Sequence, residues 1–315
     1  MCIRDRNYKV SNFNHEWVLF HNEFSICSRK VRVCLEELSI NYYSQHIHLI
    51  ETKDCENLSN DFLKINPTAT VPVLLHENYP IYESHEQIKY VSELKPGVLY
   101  NDEIVEKWNE KGSLVGDDPM NGIKDYAGNC ISIMMQPLFA AMLKKVSIFK
   151  FIKYFKHPSK FRAFFFVIFK LMGNRAFGKN APNQRAAVRA FKCLKVHFDD
   201  LNHHLNDRIW IGGEKFSIAD ITWMVLFHRV EELQIIDLLI GNHENLKEYH
   251  KRLKNRESYK KSILEFNSEA ISNGINQLKS DIKTSKNIIQ FYQLIQEESK
   301  TCLLYTSDAA DDTPC

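Results

Sequence analysis

Two domains are predicted, an α/β unit in the order βαβαββα and then an all-α unit, and three observations predict them. Up to Leu94, short apolar runs bounded by turn residues alternate with stretches of helical period. Lys95-Pro96-Gly97 then punctuates the chain as a natural linker. Beyond it the pattern is helical almost throughout, with no internal repeat. The order βαβαββα is the thioredoxin-like arrangement. It is expected over residues 15–95, the helical unit over 98–270, and a polar helical tail over 271–301.

Glu16–Phe20 reads as a short buried strand, and Ser25–Leu38 as a helix whose stripe is Val31, Val33, Cys34, Leu35 and Leu38. Tyr43, Gln45, Ile47 and Leu49 alternate with Ser44, His46 and His48, as a second strand would. A short helix over Ser59–Lys64 ends at Asn66-Pro67. Val73–His76 and Tyr79–Tyr82 form a hairpin, and Pro80, which cannot donate to a ladder, places the latter at an edge. Ser84 reads as the cap of a helix to Leu94, with Gln87 completing a capping box. In the second unit, Glu103–Leu114 and Ile123–Lys145 read as helices, the latter kinked at Pro137. Pro182–Leu205 is a long helix, Ser217 to Asp220 caps the next, and Asn245–Arg256 and Glu269–Glu298 follow.

The two ends read as something other than protein. Met1–Arg6 back-translates as ATG-TGT-ATA-AGA-GAC-AGn, and Cys302–Ser307 as TGT-CTC-TTA-TAC-ACA-TCT. Preceded by one C, the second string contains the reverse complement of the first. Opposite-strand readings of one DNA element mark residues 1–6 and 302–315 as sequencing-adaptor scars, to be left out of fold reasoning. Met1 is then not a trustworthy start, and a targeting segment or an authentic tail could be missing.

Without the scars, eight cysteines become five: Cys27, Cys34, Cys55, Cys130 and Cys193. They are odd in number and form no CxxC, which favours a reducing, cytoplasmic setting over a disulfide framework. No apolar run approaches the roughly 18 residues that span a bilayer. The net charge is only +2, yet no acid occurs between Asp125 and Asp199. A one-sign stretch of this length suits an anionic partner. Within about 144–180 the lysines interleave with Phe149, Phe151, Tyr154, Phe155, Phe161, Phe164, Phe165, Phe166 and Phe169. Such a segment can lie in an anionic membrane interface, or its aromatics can fold back to line a pocket with the lysines solvated. No nucleic-acid reading module accompanies the charge, so nucleic acid is not an expected partner. The histidines show no metal-ligand spacing, so no metal is expected.

Three local features carry chemistry. Ser25 stands at a helix start, where unpaired N–H groups and the helix dipole favour a thiolate and a hydroxyl can donate to it; it also reads as a plain N-cap. Cys27, in the same first turn, is an alternative low-pKa thiol. Val71-Pro72, if cis, would turn the Val71 backbone toward a peptide-like ligand. Glu83 and the helix start at Ser84 suit an ammonium and a carboxylate side by side, the two charges of an amino-acid head group.

Together, Phe24-Ser25-Ile26-Cys27-Ser28-Arg29-Lys30-Val31-Arg32, Asn66 to Leu74 and Tyr82-Glu83-Ser84 resemble the glutathione transferase family, most of all its serine-using classes. The likeness extends through Phe216-Ser217-Ile218-Ala219-Asp220-Ile221, which looks like that family's buried capping box, Ser217 with Asp220. The resemblance implies glutathione as co-substrate and Ser25 as the sulfur-activating group. It implies Val71 and Pro72 at the cysteinyl backbone, Glu83 and Ser84 at the γ-glutamyl head, an apolar electrophile as second substrate, and a homodimer. The glycine carboxylate should need a cation, Lys53 or Lys64. The long acid-free segment departs from the family pattern and is similar to the ganglioside-induced differentiation-associated branch. That leaves a non-catalytic glutathione-binding adaptor on anionic membranes, or a Cys27-dependent thiol transferase, as the alternatives.

Overall fold

A computed structural model describes residues 9–308 except 117, without the side chains of 161 and 301–308. Residues 1–6 lie outside the described residues, as do 309–315.

The first domain is the expected βαβαββα unit. Its strands are β1 Trp17–His21, β2 Tyr43–His46, β3 Val73–His76 and β4 Tyr79–Ile81; its helices are α1 Ile26–Glu37, α2 Asn60–Ile65 and α3 Ser84–Leu94. The sheet order is β2-β1-β3-β4, with β1 parallel to β2 and antiparallel to β3, which is antiparallel to β4. Pro80 therefore lies on an edge strand. Alternation sorts the side chains: Trp17, Leu19 and Leu74 join the large core shared with the helical domain. Val18, Phe20, Val73 and Leu75 pack on the other face against Ile47 and Phe62.

Two local expectations need correction. β2 stops at His46 rather than Leu49, because the chain turns there: Thr52 and Lys53 both donate to the Leu49 carbonyl. The Ser84–Gln87 capping box is absent. Glu83 is the N-cap, without a side-chain cap bond, and Gln87 instead donates to the carbonyls of Pro72 (3.2 Å) and Ile81 (2.7 Å). Its amide is better used satisfying two buried carbonyls than reaching a backbone N–H.

The second domain is all-helical: α4 Glu103–Lys111, α5 Ala127–Met134, α6 Gln136–Leu143, α7 Ile148–Tyr154, α8 Lys160–Met172, α9 Pro182–His204, α10 Ile218–Glu232, α11 Ile236–Ile240, α12 Glu244–Lys254, α13 Glu257–Tyr259, α14 Glu269–Thr284 and α15 Lys286–Asp308. Pro137 in the first turn of α6 turns the expected kink into a break. Ser285 likewise separates α14 from α15, where one long helix was expected. Pro158 separates α7 from α8. The Ser217 hydroxyl accepts from Asp220 N and the Asp220 carboxylate from Ser217 N, a reciprocal cap at the start of α10. Asp220 also takes hydrogen bonds from Ile211 N (2.9 Å) and Tyr249 OH (2.7 Å), so the box ties three segments together.

The domains are joined through α1. Arg32 donates to the Ser262 carbonyl (2.9 Å) in the turn after α13, and Arg256 holds Glu37 with two 2.6 Å bonds. Among the described residues no helix is long and apolar enough to cross a membrane.

Candidate active site

Ser25 is the N-cap of α1, and its hydroxyl oxygen accepts from Ser28 N at 3.2 Å. The same hydroxyl lies 3.5 Å from the Val71 carbonyl, within reach to donate. Ser25 is half-buried, so the hydroxyl is held but accessible. The Val71–Pro72 peptide is cis. Pro72 is buried and Val71 half-buried, and Gln87 of α3 pins the Pro72 carbonyl from behind. The bend is thus fixed by a side chain from the helix whose start it faces.

Glu83 and Ser84 form that helix start. Glu83 is exposed and takes φ 58, ψ 115, a region L-residues rarely occupy. Such strain persists where the surroundings impose it, and it clusters at ligand sites. Ser84 is buried and hydrogen-bonds the Cys27 thiol, so the N-termini of α1 and α3 converge. Each start offers unpaired N–H groups and a partial positive charge. Two such ends close together beside the Val71 backbone can hold a ligand with two anionic groups and a peptide bond.

Cys27 does not behave as the low-pKa thiol the sequence allowed. Burial pushes its pKa up, and the nearby Lys30 and the Ser84 hydrogen bond offset this only in part. A protonated thiol is a poor nucleophile. Cys34 is buried and donates to the Ile88 carbonyl at 3.7 Å, a core position.

Of the glycine-carboxylate candidates, Lys64 is exposed on α2 and ion-paired with Asp61 at 3.0 Å. Lys53 is exposed in the turn after β2, and its carbonyl accepts from Lys150. With Lys145 and Lys150 it lines a cavity of about 390 Å³ between the domains.

Three charged groups escaped the sequence reading. Lys30 is buried under the site, donating to Ser113 Oγ at 3.1 Å; burial lowers its pKa to about 8 against the pull of Cys27 and Glu83. Gly128 makes room for this: a Cβ there would stand 2.5 Å from the Ser113 carbonyl oxygen. The signal was present, since Cys27, Lys30 and Cys34 share one face of α1, a lysine inside an apolar stripe. Arg162 of α8 donates to Tyr154 OH (3.0 Å) and lies 3.4 Å from Glu51. Its charge reaches Cys27, so the basic segment delivers a cation to the site. Arg29 pairs with Glu232, fixing the back of α1 to α10.

The basic aromatic segment divides. Phe151, Tyr154, Phe166 and Phe169 are buried. Phe24, next to Ser25, packs edge-on to Phe139 at 5.8 Å, and Phe139 meets Phe166 at 4.8 Å. Phe166 stacks on Tyr154 at 5.4 Å. An aromatic layer therefore runs from the start of α1 to α7 and α8. Phe149 (76% exposed), Ile152, Phe155, Phe164 and Leu171 (71%) face outward instead.

Comparison with known proteins agrees with this geometry. Residues 24–94 match the family model described as glutathione S-transferase, N-terminal domain, and residues 148–257 that described as glutathione S-transferase, C-terminal domain. The chain is 26% identical over 257 residues to the glutathione S-transferase TCHQD of Arabidopsis thaliana, covering 78% of this chain and 88% of that protein. It is 27% identical over 247 residues to the tetrachloro-p-hydroquinone reductive dehalogenase of Sphingobium chlorophenolicum, covering 76% and 93%. Among solved structures it is similar to the β-etherase LigF of Sphingobium sp. strain SYK-6, with TM-score 0.63, 17% identity, and 79% and 99% coverage. It is also similar to a glutathione transferase family member of Pseudomonas fluorescens pf-5 with two glutathione molecules bound, with TM-score 0.55, 18% identity, and 80% and 94% coverage.

Proposed function

This chain belongs to the glutathione transferase family, and from that premise we propose that it ionises the glutathione thiol at Ser25 for attack on a small apolar electrophile. The observation that carries the reading is the meeting of the α1 and α3 starts across the cis Val71–Pro72 edge. In this reading the γ-glutamyl carboxylate takes the α3 start at Ser84 and its ammonium the exposed Glu83 carboxylate. The Val71 backbone pairs with the cysteinyl unit, which places the sulfur at Ser25. Lys53 is the better candidate for the glycine carboxylate, because Lys64 is engaged by Asp61.

The chemistry asks little of the protein beyond charge stabilisation. The thiol proton leaves to solvent, the sulfur lone pair forms the new C–S bond, and the leaving group departs with its electrons. Lowering a thiol pKa by about two units is worth roughly 2.7 kcal/mol. One hydrogen bond from Ser25 and a helix start supply that order, and the buried cation at Lys30 adds to it. The aromatic layer from Phe24 to Tyr154 is buried apart from the half-buried Phe139, so Phe139 is the ring of this layer that an apolar electrophile can reach. Titration of the thiolate absorbance of bound glutathione tests the assignment: Ser25→Ala should raise the thiol pKa by one to two units. An unchanged pKa would remove Ser25 from the mechanism.

A second reading draws on the outward face of α7 and α8. Phe149, Ile152 and Phe155 recur at helical spacing, and Lys153, Lys156 and Lys160 beside them are exposed. None of these lysines is in an ion pair among the described residues. Apolar anchors rimmed by unpaired cations complement an anionic lipid surface. We propose that the enzyme associates with such surfaces through this face.

A further inference from the structure

We propose that Glu23, His46 and His48 form a zinc-binding site that clamps the loop leading into Ser25. Their donor atoms all lie within 4.8 Å of one another, and no other group of three or more His, Cys, Asp or Glu among the described residues is so placed.

The site is built by the sheet. His46 is the last residue of β2 and sits opposite His21 of β1 in a parallel register. The ladder runs one bond further, from Ile47 N to the His21 carbonyl at 2.8 Å. Two residues on from that pair, just past the ends of both strands, lie Glu23 and His48. Their donor atoms and that of His46 come within 4.8 Å of one another. Sequence spacing alone hides this set, because its carboxylate comes from a segment 23 residues before His46.

The donors suit the ion. Two imidazoles and a carboxylate are a common zinc set, leaving a fourth position for water. Glu23 is buried, and its carboxylate is oriented by Asn22 Nδ2 (2.8 Å) and by the Ser268 hydroxyl. Such outer partners hold ligating carboxylates in place. His46 Nε2 already meets Glu23 Oε2, and the His46 and His48 rings lie 4.5 Å apart. His48 Nδ1 is buried with no hydrogen-bond partner, a cost that an ion would remove. Tetrahedral zinc with bonds near 2.1 Å needs donors about 3.4 Å apart. Seating the ion therefore opens the His46–Glu23 contact and draws the widest pair together, each by about 1 Å. The consequence is mechanical. Asn22 and Glu23 lead directly to Ser25, and Ser268 lies in the segment before α14, so the ion would fasten the site loop of one domain to the end of the other.

The test is a titration of tag-free, metal-stripped full-length protein with Zn²⁺, without glutathione, by calorimetry. Co²⁺ serves as a coloured probe of coordination. The expected result is one ion per chain, a rise in Tm on zinc addition, tetrahedral Co²⁺ absorption, and binding at least about tenfold weaker in His48→Gln and in Glu23→Gln. His48→Gln lies at the less buried end of the set, so it keeps the test decisive if Glu23→Gln fails to fold. Absence of stoichiometric binding, or equal affinity in wild type and His48→Gln, would overturn the proposal. Loss of thiol activation in Ser25→Ala is read separately and leaves this result untouched.

Discussion

Arg29 and Glu232 stand 203 positions apart and meet as a buried, two-pronged ion pair, with both N–O distances 2.9 Å. Arg229, one turn before Glu232, adds an ion-pair contact at 2.9 Å and also donates to the Phe24 carbonyl. Burial works against the Glu232 carboxylate, yet Arg229 and Arg29 outweigh it and hold its pKa well below the ordinary carboxylate range. One carboxylate thus bridges two buried guanidiniums behind the helix that carries Ser25, leaving the trio with one net positive charge. Glu232→Ala leaves both charges buried without their carboxylate, and breaking such a pair costs about 3–5 kcal/mol. Denaturant unfolding should show that loss with an unchanged slope. A loss below about 1 kcal/mol would mean that water reaches the arginines.

Lys30 offers a pH signature. Its folded pKa is lowered by burial to about 8 from 10.5. The folded state therefore binds fewer protons than the unfolded state between these values, and this group's contribution to stability rises from pH 8 to pH 10.5. The full span is worth about 3 kcal/mol. In Lys30→Met that rise should be missing, so stability measured at pH 7.5 and pH 9.5 should diverge between variant and wild type. The same variant should raise the pKa of bound glutathione thiol, because the cation beneath the site is gone. Parallel stability curves would show that Lys30 is not buried as charged.

The secondary structure was largely legible because its signals are local. The short apolar run of Glu16–Phe20, Pro80 at an edge, and Ser217 with Asp220 each state their placement within a few residues. Misjudged positions were those where a tertiary demand outranked a local one. Gln87 has the spacing of a capping box, but the buried carbonyls of Pro72 and Ile81 claim its amide. Ser25 could be named, since a helix start and a hydroxyl are adjacent in sequence. Lys30 was visible as a lysine inside an apolar stripe, but Arg162 and Glu232 were not, because their roles depend on partners 111 and 203 positions away. The Glu23, His46 and His48 set was missed for the same reason.

Cys27 provides a sharp distinction between two chemistries. Its thiol is held protonated by burial, despite Lys30 and Ser84 nearby. Cys27→Ser preserves a hydroxyl able to keep the Ser84 bond, so conjugation rates should stay within about twofold of wild type, under 0.5 kcal/mol. No glutathione mixed disulfide should be trapped at this position. Loss of activity in Cys27→Ser, with activity surviving Ser25→Ala, would transfer the central role to the cysteine.

The outward face of α7 and α8 is best tested by substitution, since Phe151, Tyr154, Phe166 and Phe169 are core and deletion of the segment would unfold the domain. Phe149→Ser, Ile152→Ser and Phe155→Ser together remove three exposed side chains and touch none of these four. Burying each in an interface is worth up to about 1.5–3 kcal/mol, so the triple variant should lose more than tenfold in partition to vesicles containing phosphatidylserine. Raising salt should weaken the wild type as well, because the neighbouring lysines act through screened charge. Flotation of wild type and variant, with light scattering to follow oligomeric state, separates the outcomes. If the triple variant floats as well as wild type, the face is not a lipid anchor; if it instead dissociates a dimer, the face joins two copies of the chain.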